Sequence, residues 1–558
     1  MTRTDRRPVE VPTPSRAGPR FTEKLAQAHL WVAVLAFGIA SAMALMQALS
    51  RASLDLPWRT AGMYYLSVTA HGVLMALVFT TFFIMAFGYV VVSRTLSREP
   101  APRALAWTGY WLALTGTLAT TGTILAGKAS VLYTFYPPLM AHPLFYIGLA
   151  LVVVGSWCWS AVMLLSYRAW RRANPDAPTP LAMHGMIATV LVWLIATVGV
   201  AAEDLIQLIP WSLGLVPTID PVLARMLFWY FGHPLVYFWL LPAYVIWYTL
   251  LPRVAGGKLF SDPLARLVFV LFILLSSPVG FHHQFMDPGV SAGWKMVHTF
   301  LTFAILFPSF ITAFTVTASM EVGGRAKGAT GLVDWIAKLP WRDPLFSSIA
   351  LSMILFAIGG IGGAINASFG MNAVVHNTAF IQGHFHLTVG SAVALTFMGA
   401  AYYLLPRLSG RELELGLLAR VQPYLWFVGM MLFSISNHMT GLMGMPRRIY
   451  DASYGGSAAA AAWRGLTGIS AVGGVFLFVS AGFFMLVMIG TALAGRRREP
   501  EPILWAEPLS PEITRRTVFD RYALWTAIAI LLVIVAYAYP LWAHLRMARF
   551  GSPGFSPF

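Results

Sequence analysis

"VVHNTAFIQGHFHLTVGSAVALTFMGAAYYLL", residues 374–405, is long and apolar enough to cross a bilayer as a helix, yet its first half carries His376, His384 and His386. A spanning helix needs about 20 mostly apolar residues, and polar side chains within it are costly unless satisfied. Comparable runs recur along the whole 558-residue chain, which is 58% hydrophobic and only 11% charged. Thirteen spans are expected, near 24–50, 61–93, 104–127, 143–167, 181–211, 222–251, 264–285, 294–320, 344–368, 373–405, 415–441, 465–494 and 522–546. The pattern predicts an all-α membrane protein, with a disordered, basic, Pro-rich tail over 1–23, one thirteen-helix domain over 24–548 and an outer-side tail over 549–558.

The net charge of +16 is spread over loops rather than gathered in a patch, which argues against a nucleic-acid partner and for topology signals. If odd-numbered spans run outward, most of the 38 Lys and Arg residues fall on the side of the amino terminus. That terminus is therefore expected to be cytoplasmic, in a bacterial inner membrane. Cys158 is the single cysteine, so neither an internal disulfide nor a paired-Cys metal site can form.

Depth in the membrane follows from position in a span, at about 1.5 Å per residue. His71, His233 and His384 each fall roughly ten residues, about 15 Å, inside the outer end of an inward-running helix. His282 and His283 end an outward-running one. Four distant segments thus place imidazoles at similar depth. On a regular helix His384 and His386 point about 200° apart, so they cannot easily share one metal. One helix between two haems, each ring an axial ligand to a different iron, accommodates both. His376, two turns above His384, is placed where haem propionates need donors. His29, His142, His184, His298, His438 and His544 are read as hydrogen-bonded packing residues.

"FWYFGHPLVYFW" puts His233 and Tyr237 at i and i+4 on one helix face. In "SPVGFHHQF", Pro278 and Gly280 loosen the helix end enough for His282 and His283 to converge. Three neutral imidazoles suit copper, with a position left open for a small ligand.

"GHPLVY", "FHH" and "HNTAFIQGHFHLT", in this order, closely resemble subunit I of the haem–copper terminal oxidases over nearly the whole chain. The resemblance implies that His71 and His386 ligate a low-spin haem and His384 a high-spin haem, most naturally b-type and a-type. It implies one copper ion on His233, His282 and His283, facing the high-spin iron where dioxygen is reduced to water. Tyr237 resembles the family's active-site tyrosine, which is covalently joined to the copper-ligating His and supplies an electron and a proton. "YTFYPP" at 133–138 and "MPRR" at 445–448 also match, the latter offering Arg447 and Arg448 to propionates. Proton translocation is implied as well. With no paired-Cys site in this chain, a second subunit carrying a dinuclear copper centre is expected to pass on electrons from cytochrome c, alongside a small single-helix subunit.

The family's large branch carries Glu two residues after the copper-site His, where this chain has Leu235. The B-type branch, related to the ba-type oxidases and having one proton input route, is the better match. Helix periodicity proposes the route: Tyr237, Tyr244 and Tyr248 form an inward stripe, Ser309, Thr312 and Thr315 another, and Ser261 is placed near the mouth. Hydroxyls both donate and accept, so with water between them they can relay protons. Asn372 departs from the carboxylate expected four residues before His376. Glu203 and Asp204 are expected near an outer helix end, as a pump exit, a partner contact or solvated interface residues. The competing readings are a quinol oxidase, a nitric oxide reductase, which lacks the active-site tyrosine, and a multi-span solute transporter, which leaves the histidine depths unexplained.

Overall fold

The computed structural model describes residues 20–54, 56–547 and 550–557. The first nineteen residues of the expected basic tail lie outside that set, as do Ala548 and Arg549. Helix already begins at Phe21.

The described residues form thirteen principal helices in sequence: α1 Phe21–Arg51, α2 Ala61–Thr95, α3 Arg103–Leu125, α4 Pro143–Ala173, α5 Leu181–Ser212, α6 Pro221–Val254, α7 Asp262–Leu275, α8 Ala292–Ala326, α9 Pro344–Ala367, α10 Ala379–Ser409, α11 Gly416–Leu442, α12 Arg464–Ala494 and α13 Tyr522–Arg546. Among the described residues, eleven of these are both long and apolar enough to cross a membrane. The chain is thus a multi-pass membrane protein, but thirteen spans are not established. The two exceptions are α3, whose run of Thr and Gly residues dilutes its hydropathy, and α7, which has 14 residues and so covers only about 21 Å. The expected seventh span stops at Leu275 because Pro278 and Gly280 break the helix, and the chain re-forms as a single 3₁₀ turn over Phe281–Gln284.

Without a hydrophobic difference between lipid and neighbouring helix, packing must come from close backbone approach. The α3–α4 contact shows this: a Cβ on Gly155 would stand 2.6 Å from the carbonyl oxygen of Gly109. Only glycine allows that approach. The outward faces carry exposed apolar side chains such as Leu118, Phe300, Phe310 and Leu493, as expected of surfaces meeting lipid. α6 is the reverse, buried on nearly every face along its second half, from Gly232 to Pro252.

Among the described residues, three helices depart from α geometry over five to eight residues. π-helical segments occur at Leu74–Phe79 in α2, Asp204–Leu208 in α5 and His386–Val393 in α10. Such insertions re-aim side chains and gather at functional sites. Two of these three begin within three residues of an expected haem ligand.

Residues 550–557 are tied back to the body. Phe555 donates its N–H to the carbonyl of Pro138 and accepts from Met140 N–H, both at 2.8 Å, and Ser552 pairs with Ile219.

Candidate haem and copper centre

α1, α2, α6, α8, α9, α10, α11 and α12, with the loops at one end, enclose a continuous cavity of about 720 Å³, within the range that buries a large cofactor. His71, His233, His282, His283, His376, His384, His386, Tyr237, Arg447 and Arg448 all line it. These ten residues, with Tyr244, Ser309 and Thr312, are therefore brought to one space, whereas Tyr248, Ser261 and Thr315 do not line it.

On one side, the rings of His71 and His386 face each other with centroids 6.1 Å apart and planes within 4° of parallel. Nδ1 of His71 lies 3.1 Å from the Ala40 carbonyl, and Nδ1 of His386 lies 2.8 Å from the Gln382 carbonyl. Each carbonyl accepts the Nδ1 proton, which fixes the tautomer and leaves Nε2 with a free lone pair. A metal–imidazole bond is about 2 Å, so two of them plus two half-rings span about 6 Å. The pair fits one iron held between them.

His384, two residues from His386, turns to a different helix: its Nδ1 is 2.8 Å from the Gly359 carbonyl of α9. Its Nε2 is likewise left free to ligate. α10 comes close to α11 here because Gly383 has no side chain, a Cβ at that position falling 2.5 Å from His438 Nδ1.

His233, His282 and His283 each present a ring nitrogen, and the three lie within 4.8 Å of one another. Nδ1 of His233 is 3.2 Å from Nε2 of His283. Two nitrogens bound at about 2 Å to one tetrahedral ion stand about 3.3 Å apart, so the arrangement fits a single copper. The break after α7 lets the adjacent rings of His282 and His283 converge to 4.2 Å. Two supports were invisible in sequence. Thr302 on α8 lies 3.0 Å from Nδ1 of His282, and Trp229 stacks on His283 at 3.8 Å and 7°. Both contacts join distant segments and leave no local pattern.

Tyr237 places its phenol oxygen 3.1 Å from Nε2 of His233. His233 thus presents one nitrogen to the metal site and the other to the tyrosine. Leu235, between them in sequence, is buried on the cavity wall with nothing to relay.

The polar rim is built by the start of α10 and the loop after α11. Ala379 N–H donates to Met445 and Arg447 N–H to Asn377, fixing residues 445–448 over the cavity. Arg448 has a left-handed backbone, φ 62°, a conformation non-glycine residues seldom hold without cause. Its guanidinium lies over the ring of Tyr133 at 4.7 Å, and its Nε and Nη2 are buried without a partner. Burial and the neighbouring charge of Arg448 push Arg447 down to about 10. Burial raises Tyr133, but the charges of Arg448 and Arg447 outweigh it and hold the phenol at about 8. Two crowded, under-paired cations call for an anion, as haem propionates would supply. His376 donates its Nδ1 proton to Asn372 Oδ1 at 3.0 Å, and its other nitrogen, 3.9 Å from Asp287, has no hydrogen-bond partner.

Of the hydroxyl stripe, Tyr248 donates to Thr312 at 2.7 Å and Tyr244 to Ser309 at 3.5 Å. Thr315 is buried with its hydroxyl unpartnered. Ser319, one turn beyond and missed in the periodicity, donates to the Thr315 carbonyl. Ser261 caps α7 by accepting from Leu264 N–H. The six histidines read as packing residues all have polar partners: Leu25 for His29, Leu144 for His142, Tyr522 for His184, Phe281 for His298, Ser434 for His438 and Asp220 for His544. Glu203 and Asp204 are not solvated, contrary to one expectation: they are 0% and 3% exposed, and three of their oxygens have no partner.

The family model for cytochrome c and quinol oxidase polypeptide I matches residues 24–476. The chain belongs to that family. A cytochrome c oxidase subunit 1 from Thermus thermophilus is 44% identical over 501 residues, 87% of each chain. One from a Synechocystis species is 25% identical over 511 residues, 84% of this chain and 87% of its own. A haem–copper terminal oxidase dimer solved by electron cryomicroscopy superposes with a TM-score of 0.91 at 38% identity, covering 96% of this chain and 95% of that one. This haem–copper oxidase subunit I is therefore an oxidoreductase of the respiratory chain, and a terminal oxidase. The transporter reading falls with that result.

Proposed function

We propose that this oxidase subunit is of the B type and reduces dioxygen to water at the centre formed by His384, His233, His282 and His283, coupled to proton translocation. The observation that carries the proposal is Tyr237 at 3.1 Å from the second nitrogen of a copper-site histidine. When bound, the high-spin haem and copper supply the site and the electrons for oxygen reduction. Around them, His71 and His386 hold the low-spin haem, Arg447, Arg448 and His376 fix propionates, and Tyr237 holds a proton and an electron beside the metal site. A b-type low-spin and an a-type high-spin haem are assigned by resemblance.

Protons enter along Thr315, Thr312–Tyr248 and Ser309–Tyr244 towards Tyr237, with Ser261 near the entrance. Leu235 supports a single route, since the position where the large branch has Glu is apolar. Orientation follows the basic residues, with the amino terminus in the cytoplasm of a bacterial cell. Electrons come from cytochrome c through a subunit II bearing a dinuclear copper centre, because a lone Cys158 cannot build one here, and a small single-helix subunit completes the complex.

The purified complex tests the proposal by metal analysis and turnover. Two haems with one copper in the centre, and oxygen uptake driven by reduced cytochrome c, are expected. Non-haem iron in place of that copper would transfer the chain to the reductases, and uptake driven only by quinol would replace the donor.

A further inference from the structure

Phe281 opens the single 3₁₀ turn that carries His282 and His283, so its N–H has no acceptor within the turn, and the residue before it, Gly280, has no side chain to supply one. The acceptor comes from another helix: Nδ1 of His298, on α8, takes that N–H at 3.2 Å. With Nδ1 accepting, the ring proton sits on Nε2, which donates to the Ala536 carbonyl of α13 at 3.2 Å. That carbonyl is free because Pro540, four residues on within the same helix, has no N–H to give it. One fully buried imidazole thus pairs two main-chain groups that their own segments leave unpaired, one on the turn and one on the last helix. Its ring lies between those of Phe281 and Tyr537, with centroids at 4.5 and 5.2 Å. The main chain of His298 acts on the same turn. The hydroxyl of Thr302 donates to the His298 carbonyl at 2.5 Å, which leaves it to accept from Nδ1 of His282 at 3.0 Å.

We infer that His298 is a positioning residue of the copper centre: it caps the turn bearing two of the three clustered histidines and fastens that turn to α13. The inference rests on His282 and His283 being copper ligands. A bond to the main chain one residue before His282 sets where both rings start, whereas Thr302 sets the rotation of one ring only. Loss of such outer support weakens metal binding, because the ligands are then no longer held in their binding geometry.

Copper retention across a chelator series in the whole purified complex tests this, together with the infrared stretch of carbon monoxide photolysed onto the copper, which reports ligand geometry. His298→Phe keeps an aromatic ring between Phe281 and Tyr537 but removes both hydrogen bonds. It should lose copper at a chelator concentration about tenfold below that needed for the parent, and shift or broaden the infrared band, with haem content unchanged. His298→Gln, whose amide can accept from Phe281 and donate to Ala536, should bring both readouts most of the way back. His298→Asn keeps an acceptor for Phe281 but is too short for Ala536. It should lose copper at an intermediate concentration, and it carries the test if His298→Phe does not assemble. Parental copper retention in His298→Phe, or in His298→Asn where the first variant fails to assemble, overturns the inference. A loss in His298→Gln equal to that in His298→Phe also overturns it, assigning the effect to ring packing. An unmutated complex without copper at this centre would instead overturn the ligand assignment beneath it.

Discussion

The phenol oxygen of Tyr237 stands 3.1 Å from Nε2 of His233, while Nδ1 of the same ring stands 3.2 Å from His283. One imidazole therefore bridges a hydroxyl and the proposed copper site, and the i, i+4 spacing on α6 makes that geometry available without distortion. Removing the hydroxyl while keeping the ring isolates its chemistry. In Tyr237→Phe, both haem spectra should persist while oxygen consumption falls at least about 100-fold, the lower range for loss of a positioned proton donor. Polarographic turnover at more than half the parental rate would dismiss the assigned role.

His384 and His386 turn to different helices, the first to Gly359 on α9 and the second towards His71 on α2. Their substitutions should separate cleanly. His384→Ala is expected to abolish the ligand-binding, high-spin haem and spare the bis-imidazole spectrum, and His386→Ala to do the opposite. Carbon monoxide difference spectra read the first and low-temperature paramagnetic resonance the second. Loss of the same haem in both variants would contradict the opposite-face geometry.

Much of this site was legible because membrane helices expose their anomalies. A histidine in an apolar run has a depth that can be counted, which is why His71, His233 and His384, now seen to line one cavity, could be grouped from sequence. The i, i+4 pair and the hydroxyl stripe follow from helical period alone. What stayed hidden depended on breaks and on contacts between distant segments. The length of α7 was overestimated because the apolar composition continues past Leu275, whereas Pro278 and Gly280 end the helix. Periodicity gives no sign of the π-turn beginning at His386. Thr302 and Trp229 acquire meaning only through partners that are 20 and 54 residues away in sequence. Glu203 and Asp204 sat too near a helix end for burial to be anticipated.

The contact between Thr302 and His282 gives a third test. At 3.0 Å from Nδ1, the hydroxyl fixes the ring's orientation and tautomer, so that Nε2 faces the other two histidines. Loss of such outer support typically weakens metal binding 10- to 100-fold. Thr302→Val nearly keeps the shape but removes the acceptor, so copper should be stripped by a chelator at a concentration about tenfold or more below that needed for the parent. Haem content should not change. Equal copper retention across a chelator series would show that packing alone orients His282.

The hydroxyl pair on α6 and α8 allows the sharpest test of proton entry. Tyr248 donates to Thr312 at 2.7 Å, and Thr312 in turn donates to the Pro308 carbonyl at 2.9 Å. Thr312 is 1% exposed, so bulk water cannot easily replace a lost hydroxyl there. Thr312→Val keeps the branched shape and deletes both donor and acceptor. If this stripe is the single input, every proton-coupled step should slow together: steady-state turnover should drop about tenfold or more, in the range for a displaced proton-transfer group, with unchanged haem spectra. Flow-flash oxidation with a pH indicator should show proton uptake slowed in parallel. Leu235 is the internal comparison, because it occupies the position where the large branch ends its second channel and cannot carry a proton. Leu235→Ile should therefore leave proton uptake at the parental rate. Parental uptake in Thr312→Val would reduce the stripe to helix packing, and a slowing in Leu235→Ile alone would move the entry route to the other face of α6.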